Sequence, residues 1–283
     1  MKLTPQDALS GVVHSIVDTP LGPIQFRSAG AGPQVTHVLL HGIGSASASW
    51  AYQLGAAVGR HDVRVLAWDA PGYGRSAHLP MAEPCAQDYA QRLWAWLDAL
   101  YVSQAVVLAG HSLGALMAAS AARLAPARVS RLVLLAPARG YGDAPDAERA
   151  RVVQGRLSNL QQLGPHGMAQ ARGAAMLSPQ AAPVLQDAVR ETMAQIDPAG
   201  YAQAVHMLGQ GRLAHDLQSW SGPLLIASGE ADTVTTPAAC DALVQALPDA
   251  MATARISLGP VGHACPLEAA GAVNPLLGLP VLA

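Results

Sequence analysis

Gly110-His111-Ser112-Leu113-Gly114 decides how this chain is read. The apolar run Ala105–Ala109 leads into it, and an Ala-rich segment from Ala115 to about Ala125 follows. That order is strand, tight turn, helix. The turn has the Gly-x-Ser-x-Gly form that exposes a serine oxygen on a sharp bend. On such a bend the helix must pass close to the strand, so a Cβ at 110 or 114 would collide and glycine suits both places. The new helix also aims its free N–H groups at any negative charge that develops near Ser112. An ordinary helix N-cap serine after a glycine turn would show the same five residues. A catalytic reading therefore needs an acid and then a histidine further along the chain.

Working outward, apolar runs alternate with helical segments. His14–Thr19 and Pro23–Ser28 read as a hairpin around Pro20-Leu21-Gly22-Pro23. Val35–Leu40 and Val63–Trp68 are near-continuous apolar runs, as expected of strands buried on both faces. Ser45–Gly59 carries Trp50, Leu54 and Val58 at helical spacing, and Ala86–Leu100 is an amphipathic helix. Trp94 and Trp96 in it are expected to pack in the core. Arg131–Ala136 is the sixth strand. Leu224–Ser228 and a run near Ala252–Leu258 complete the set, with a helix over Ala238–Leu247 and a short one after Pro266. Strands alternating with helices predict an α/β fold, a mostly parallel sheet flanked by helices. Between the sixth strand and Leu224 the alternation stops. This stretch is helical, with breaks at Gly164-Pro165, Ser178-Pro179 and Asp197-Pro198. It reads as an inserted helical cap over residues 139–216, which divides a core of residues 1–138 and 217–283.

The chain has 283 residues, enough for one large domain with an insertion. Half are apolar, few are charged and the formal net charge is −2, which argues against a disordered chain and offers nothing to nucleic acid or an anionic membrane. No apolar stretch is long enough to span a bilayer and no apolar segment follows Lys2, so neither a membrane anchor nor a signal peptide is expected. Cys85, Cys240 and Cys265 are sparse and odd in number, which suits a reducing, cytoplasmic setting. No His/Cys/Asp/Glu cluster has metal-ligand spacing, and no phosphate loop or dinucleotide fingerprint occurs. Neither metal nor cofactor is expected. The partner expected is a small-molecule substrate, and a homo-oligomer is left open.

The acid and the base stand where the elbow requires them. Gly229-Glu230-Ala231-Asp232 follows the Leu224–Ser228 strand, and Gly262-His263 follows the last strand. Ser112, Asp232, His263 is the chain order of a strand-turn-helix serine nucleophile with its partners. His263 would take the serine proton; Asp232 would orient the imidazole and stabilise its charged form. Asp232 could instead cap the helix after Thr236-Pro237, and His263 could be a plain loop histidine. Glu230 is the rival acid, ranked lower because Asp232 lies further into the loop.

With these stretches go His41-Gly42-Ile43-Gly44 and Asp69-Ala70-Pro71-Gly72-Tyr73-Gly74-Arg75-Ser76. Together they resemble the α/β-hydrolase superfamily over nearly the whole length. The resemblance implies the α/β-hydrolase fold, an oxyanion hole from the N–H groups of Ile43 and Leu113, and a structural role for Asp69. A serine at 112 argues against the haloalkane dehalogenases and epoxide hydrolases, which use an aspartate. Within the superfamily, the residues around His41, Trp68 and Gly262–Glu268 look most like the 3-oxoadipate enol-lactonase and small-ester carboxylesterase group. That implies hydrolysis of a small ester or enol-lactone through an acyl-enzyme. The alternatives are the C–C bond hydrolases of ring-fission diketo acids and a non-catalytic binding protein of the same fold. The C–C hydrolases usually carry tryptophan just after the catalytic histidine, where Ala264 stands here. Pro275 and Pro280 are expected to interrupt the final helix. A carboxylated substrate would call for a cation. Arg139 at the cap entrance is the candidate, with Arg151, Arg156, Arg172 and Arg190 inside the cap.

Overall fold

The computed structural model describes residues 3–248, 251 and 254–282. Among the described residues, eight strands form one sheet in the order β1-β2-β4-β3-β5-β6-β7-β8. They are β1 (Val13–Val17), β2 (Ile24–Ala29), β3 (His37–Leu40), β4 (Val65–Trp68), β5 (Val106–His111), β6 (Val129–Leu135), β7 (Leu224–Ser228) and β8 (Arg255–Ser257). The first two form the expected hairpin, and β2 runs antiparallel to β4. From β4 to β8 every neighbouring pair is parallel. Ala252 and Thr253, read from sequence as the start of the last strand, lie outside the described residues.

The continuous apolar runs are explained by two covered faces. In β3, Val38 and Leu40 enter one core and Leu39 the other; in β4, Leu66 and Trp68 oppose Val65 and Ala67. Each is fully buried, contributing about 1.5–3 kcal/mol for a large aliphatic side chain. One face is covered by α3 (Ala86–Ala99) and α4 (Leu113–Leu124), the other by α2 (Ala51–Gly55) and, after α9 (Pro237–Gln245) and α10 (Cys265–Glu268), the final α11 (Ala270–Leu277). Trp96 is buried against Phe26 and Trp68, with ring centroids 5.4 and 6.0 Å apart, and Trp94 packs under Arg128, so both indoles belong to the core.

Four helices fill the stretch between β6 and β7: α5 (Asp146–Arg172), α6 (Pro183–Ala194), α7 (Pro198–Gln210) and α8 (Leu213–Leu217). The breaks fall where glycine and proline stand. Gly164 (φ 60°) kinks α5 just before Pro165. Ser178-Pro179 lies in the α5–α6 link, and Asp197 caps α7 by accepting the Gly200 N–H at 2.8 Å. Tyr201, Ala204, Val205 and Leu208 of α7 join the main core. The block is thus packed on the sheet domain and is not tethered loosely to it.

Three details differ from the sequence reading. The Ser45–Gly59 segment is a 3-10 turn over Ser47–Trp50 followed by the short α2. An additional short helix, α1 (Pro5–Ala8), is set by a Thr4/Asp7 capping box. Pro275 sits inside α11 and does not interrupt it; the helix ends at Gly278, whose φ of 74° is the left-handed cap glycine favours. One missing N–H near the end of so short a helix costs little, and Leu277 keeps its buried seat.

Candidate active site

Ser112 stands alone between the end of β5 and the start of α4, with φ 52° and ψ −116°. That is strained backbone for a residue with a Cβ, and the surroundings hold it. Its N–H donates to the Leu135 carbonyl at 2.9 Å, and its carbonyl accepts from Ala115 and Ala138. A Cβ at Gly110 would come within 2.4 Å of the Gly114 carbonyl oxygen, and one at Gly114 within 2.2 Å of the Leu40 oxygen. The close passage of helix over strand therefore requires both glycines.

The loop after β3 passes beside the serine; a Cβ on Gly42 would lie 3.0 Å from that of Ser112. His41 ties this loop to the next. Its Nδ1–H donates to the Gly42 carbonyl at 2.8 Å, and its Nε2 accepts the Ala70 N–H at 3.0 Å. Burial lowers its pKa, so the ring serves as a neutral strut. Asp69 accepts from the Ser47 amide at 2.7 Å and from Gln25 at 2.6 Å. Burial would raise its pKa, yet His14, His41 and these donors bring it to about 2. It braces the loops and is not in the wall of the cavity that Ser112 lines. Ile43 and Leu113 line the same cavity as Ser112, and neither amide N–H has a hydrogen-bond acceptor among the described residues. Leu113 is the first residue of α4, where free N–H groups and the helix dipole favour an anion.

Asp232 and His263 come together from separate loops after β7 and β8. The imidazole Nδ1–H donates to Asp232 Oδ2 at 2.9 Å, and both side chains are buried. Asp232 Oδ1 also accepts the amides of Val234 and Thr235 at 2.7 and 2.9 Å. Burial pushes the carboxyl pKa up, but His263 and these donors hold it below the usual range. Glu230 turns away; it pairs with Arg255 at 2.9 Å and is 43% exposed. His263 and Ser112 face one cavity, although no hydrogen bond joins their side chains in this arrangement. Contacts of this kind tighten when substrate is bound.

Two further neighbours carried no distinguishing signal in the sequence. The Thr235 hydroxyl lies 2.8 Å from Asp232 Oδ2, 2.9 Å from the Ala136 carbonyl and 3.1 Å from His263 Nδ1. His111, inside the elbow, donates Nε2–H to the His263 carbonyl at 2.8 Å.

The cavity holds about 450 Å³ and is roofed by the helical block, with Arg139, Arg156 and Arg172 in its wall beside Asp143 and Glu148. None of the three is in an ion pair among the described residues. Arg190 pairs with Asp187 at 3.6 Å, and neither it nor Arg151 reaches this cavity. A second compartment of about 40 Å³ also borders Ser112 and His263 and is lined by Met176, Val189, Met193 and Leu267. Among the described residues no group of three or more His, Cys, Asp or Glu is placed to hold a metal ion, and no helix is long and apolar enough to cross a membrane.

The profile of the serine aminopeptidase S33 family matches residues 31–259. The chain belongs to this family of α/β hydrolases. The chain is 30% identical over 246 residues to the dihydrolipoyllysine-residue acetyltransferase component of the acetoin cleaving system of Pseudomonas putida. That match covers 84% of this chain and 60% of the other protein, so the chain spans less than two thirds of that relative. In fold it is similar to the enol-lactonase of Burkholderia xenovorans (TM-score 0.80, 22% identity, 93% of this chain and 98% of that one). It is likewise similar to a thermophilic esterase of Thermogutta terrifontis (TM-score 0.78, 23% identity, 94% and 97%).

Proposed function

We propose that this hydrolase cleaves a small ester or lactone through an acyl-enzyme on Ser112. The observation that carries the reading is the buried Asp232–His263 pair at 2.9 Å, sharing a cavity with a serine on a strained elbow. His263 Nε2 accepts the Ser112 proton as Oγ attacks the carbonyl carbon, and Asp232 stabilises the imidazolium. The amides of Ile43 and Leu113 receive the developing oxyanion, each worth about 3 kcal/mol in a preorganised site. The protonated His263 then delivers its proton to the leaving oxygen. Water, activated by the same imidazole, releases the acid.

The block over 139–216 is the cap that selects substrate and keeps water from the chemistry. Arg139, Arg156 and Arg172 outnumber the carboxylates of its wall, Asp143, which is paired with Arg212, and Glu148, and this cationic excess favours a substrate with a carboxylate remote from the scissile bond. The enol-lactonase and esterase likenesses support the ester or lactone chemistry. The free cysteines suit the cytoplasm. The test is labelling by an alkyl fluorophosphonate, followed by a screen of p-nitrophenyl esters, enol-lactones and ring-fission diketo acids. Covalent labelling at Ser112 and turnover of an ester or lactone are expected. A folded protein that is neither labelled nor active would point to the binding-protein alternative, and turnover of diketo acids alone to the C–C hydrolases.

A further inference from the structure

The loop that carries His263 is held on both sides by one short piece of the helical block. The Ala264 N–H donates to the Met176 carbonyl at 2.7 Å. On the other side, the Gly262 N–H donates to Glu268 Oε2 at 2.8 Å. The same Glu268 oxygen accepts the Ser178 N–H at 3.0 Å, and the other accepts the Ser178 hydroxyl. A single carboxylate therefore joins the residue before His263 to the residue two beyond Met176. The packing leaves no slack. A Cβ on Gly262 would lie 2.4 Å from the Leu177 carbonyl carbon and 2.6 Å from the Ser178 nitrogen. Met176 also lines both compartments beside Ser112. No bond from Glu268 reaches the imidazole or the cavity, so it acts through the loop alone.

We propose that Glu268 is a positioning residue for His263, clamping its loop to the Met176–Ser178 segment so that seating the helical block and placing the imidazole are one event. This rests on the reading of His263 as the base. The charge of Glu268 matters because three donors converge on its two oxygens. A glutamine there can keep Ser178 as a partner, because the hydroxyl can turn to accept from the new NH2 group, but both amides then meet a neutral oxygen and lose their charge-assisted bonds. With the clamp weakened in this way, Gly262 lets the backbone shift, and a displacement of about 1 Å at a catalytic group costs on the order of a hundredfold in rate. Substrate contacts in the rest of the cavity are untouched, so KM should barely move.

The experiment uses the full chain as wild type, Glu268→Gln, Ser178→Ala and the double variant. Each is assayed with p-nitrophenyl acetate, for the rate of fluorophosphonate labelling, and by thermal melting. Glu268→Gln should lower kcat roughly ten- to a hundredfold with KM within about threefold of wild type, and slow labelling in parallel. Ser178→Ala should lose less, and the double variant should be no worse than Glu268→Gln, because one clamp is being broken twice. A folded Glu268→Gln protein with wild-type kcat and labelling, or losses that multiply in the double variant, would overturn the clamp. Should Glu268→Gln fail to fold, Ser178→Ala decides. It keeps the Gly262 bond, so slower labelling at an unchanged melting temperature supports the clamp and wild-type labelling removes it. Failure of the underlying base assignment has a different signature: His263→Ala would then label as fast as the wild type.

Discussion

Lowering the pH from 7 to 5 probes how His111 is held beneath the site. Its ring is buried; Nε2–H donates to the His263 carbonyl, and Nδ1 has no hydrogen-bond partner among the described residues. Burial first, and then the neighbouring His263, push its pKa from 6.5 down to about 3. The unfolded chain therefore takes up a proton in a range where the folded chain does not. The folded value is the lower one, so the stability tied to this neutral ring is complete above the unfolded pKa. It is lost as the pH falls from there towards the folded value. At pH 5, about 1.5 units below the unfolded value, the loss is about 2 kcal/mol. An unfolding entropy of roughly 0.6 kcal/mol/K for a chain of this size turns that into about 3–4 °C of Tm. His37 and His41 are shifted in the same direction by burial and add to the slope, so a reference variant is needed. His111→Gln supplies it, since a glutamine amide can still donate to the His263 carbonyl and does not titrate. Melting curves at pH 7 and pH 5 should show the wild type losing about 3–4 °C more than the variant. Equal losses would refute the placing of a neutral, buried ring at 111.

Three other outcomes follow from the geometry. Asp232→Asn should cut kcat by roughly four orders of magnitude through the wrong imidazole tautomer, whereas Glu230→Gln, out on the surface with Arg255, should leave kcat within twofold or so; steady-state kinetics compares them. Gly114→Ala puts a methyl group against the Leu40 carbonyl, where only backbone can yield, and should cost on the order of 3 kcal/mol in denaturant unfolding. Arg156→Met or Arg172→Met should lower kcat/KM for a carboxylated p-nitrophenyl ester about tenfold or more, while p-nitrophenyl acetate is cleaved within about twofold of wild type; equal effects on both esters would remove the cationic wall from substrate recognition.

The sequence by itself determined the sheet, because a strand buried on both faces needs apolar residues at every position, and Val38–Leu40 and Val65–Trp68 show this without any partner in view. It also determined the elbow, because the strand-to-helix passage tolerates only glycine at 110 and 114, and that demand is local. The order of Ser112, Asp232 and His263 was legible for the same reason, since each follows its own strand. Helix limits were less so. Ser45–Gly59 has helical spacing, but a Cβ at Gly55 would meet the Ala8 carbonyl at 2.7 Å, a contact from the far N-terminus that no local pattern carries. Arg255 draws Glu230 outward, and the hydrogen bond to His263 goes to Asp232. Only the tertiary structure decided that His111 supports the His263 carbonyl, that Thr235 joins Asp232 to Ala136, and that Glu268 reaches Ser178. It alone showed, too, which arginines face the cavity. These are hydrogen bonds and orientations between residues up to 152 positions apart. A polar side chain has the same letter whether it points at water or at a partner, and only the folded sheet brings those loop ends to one edge.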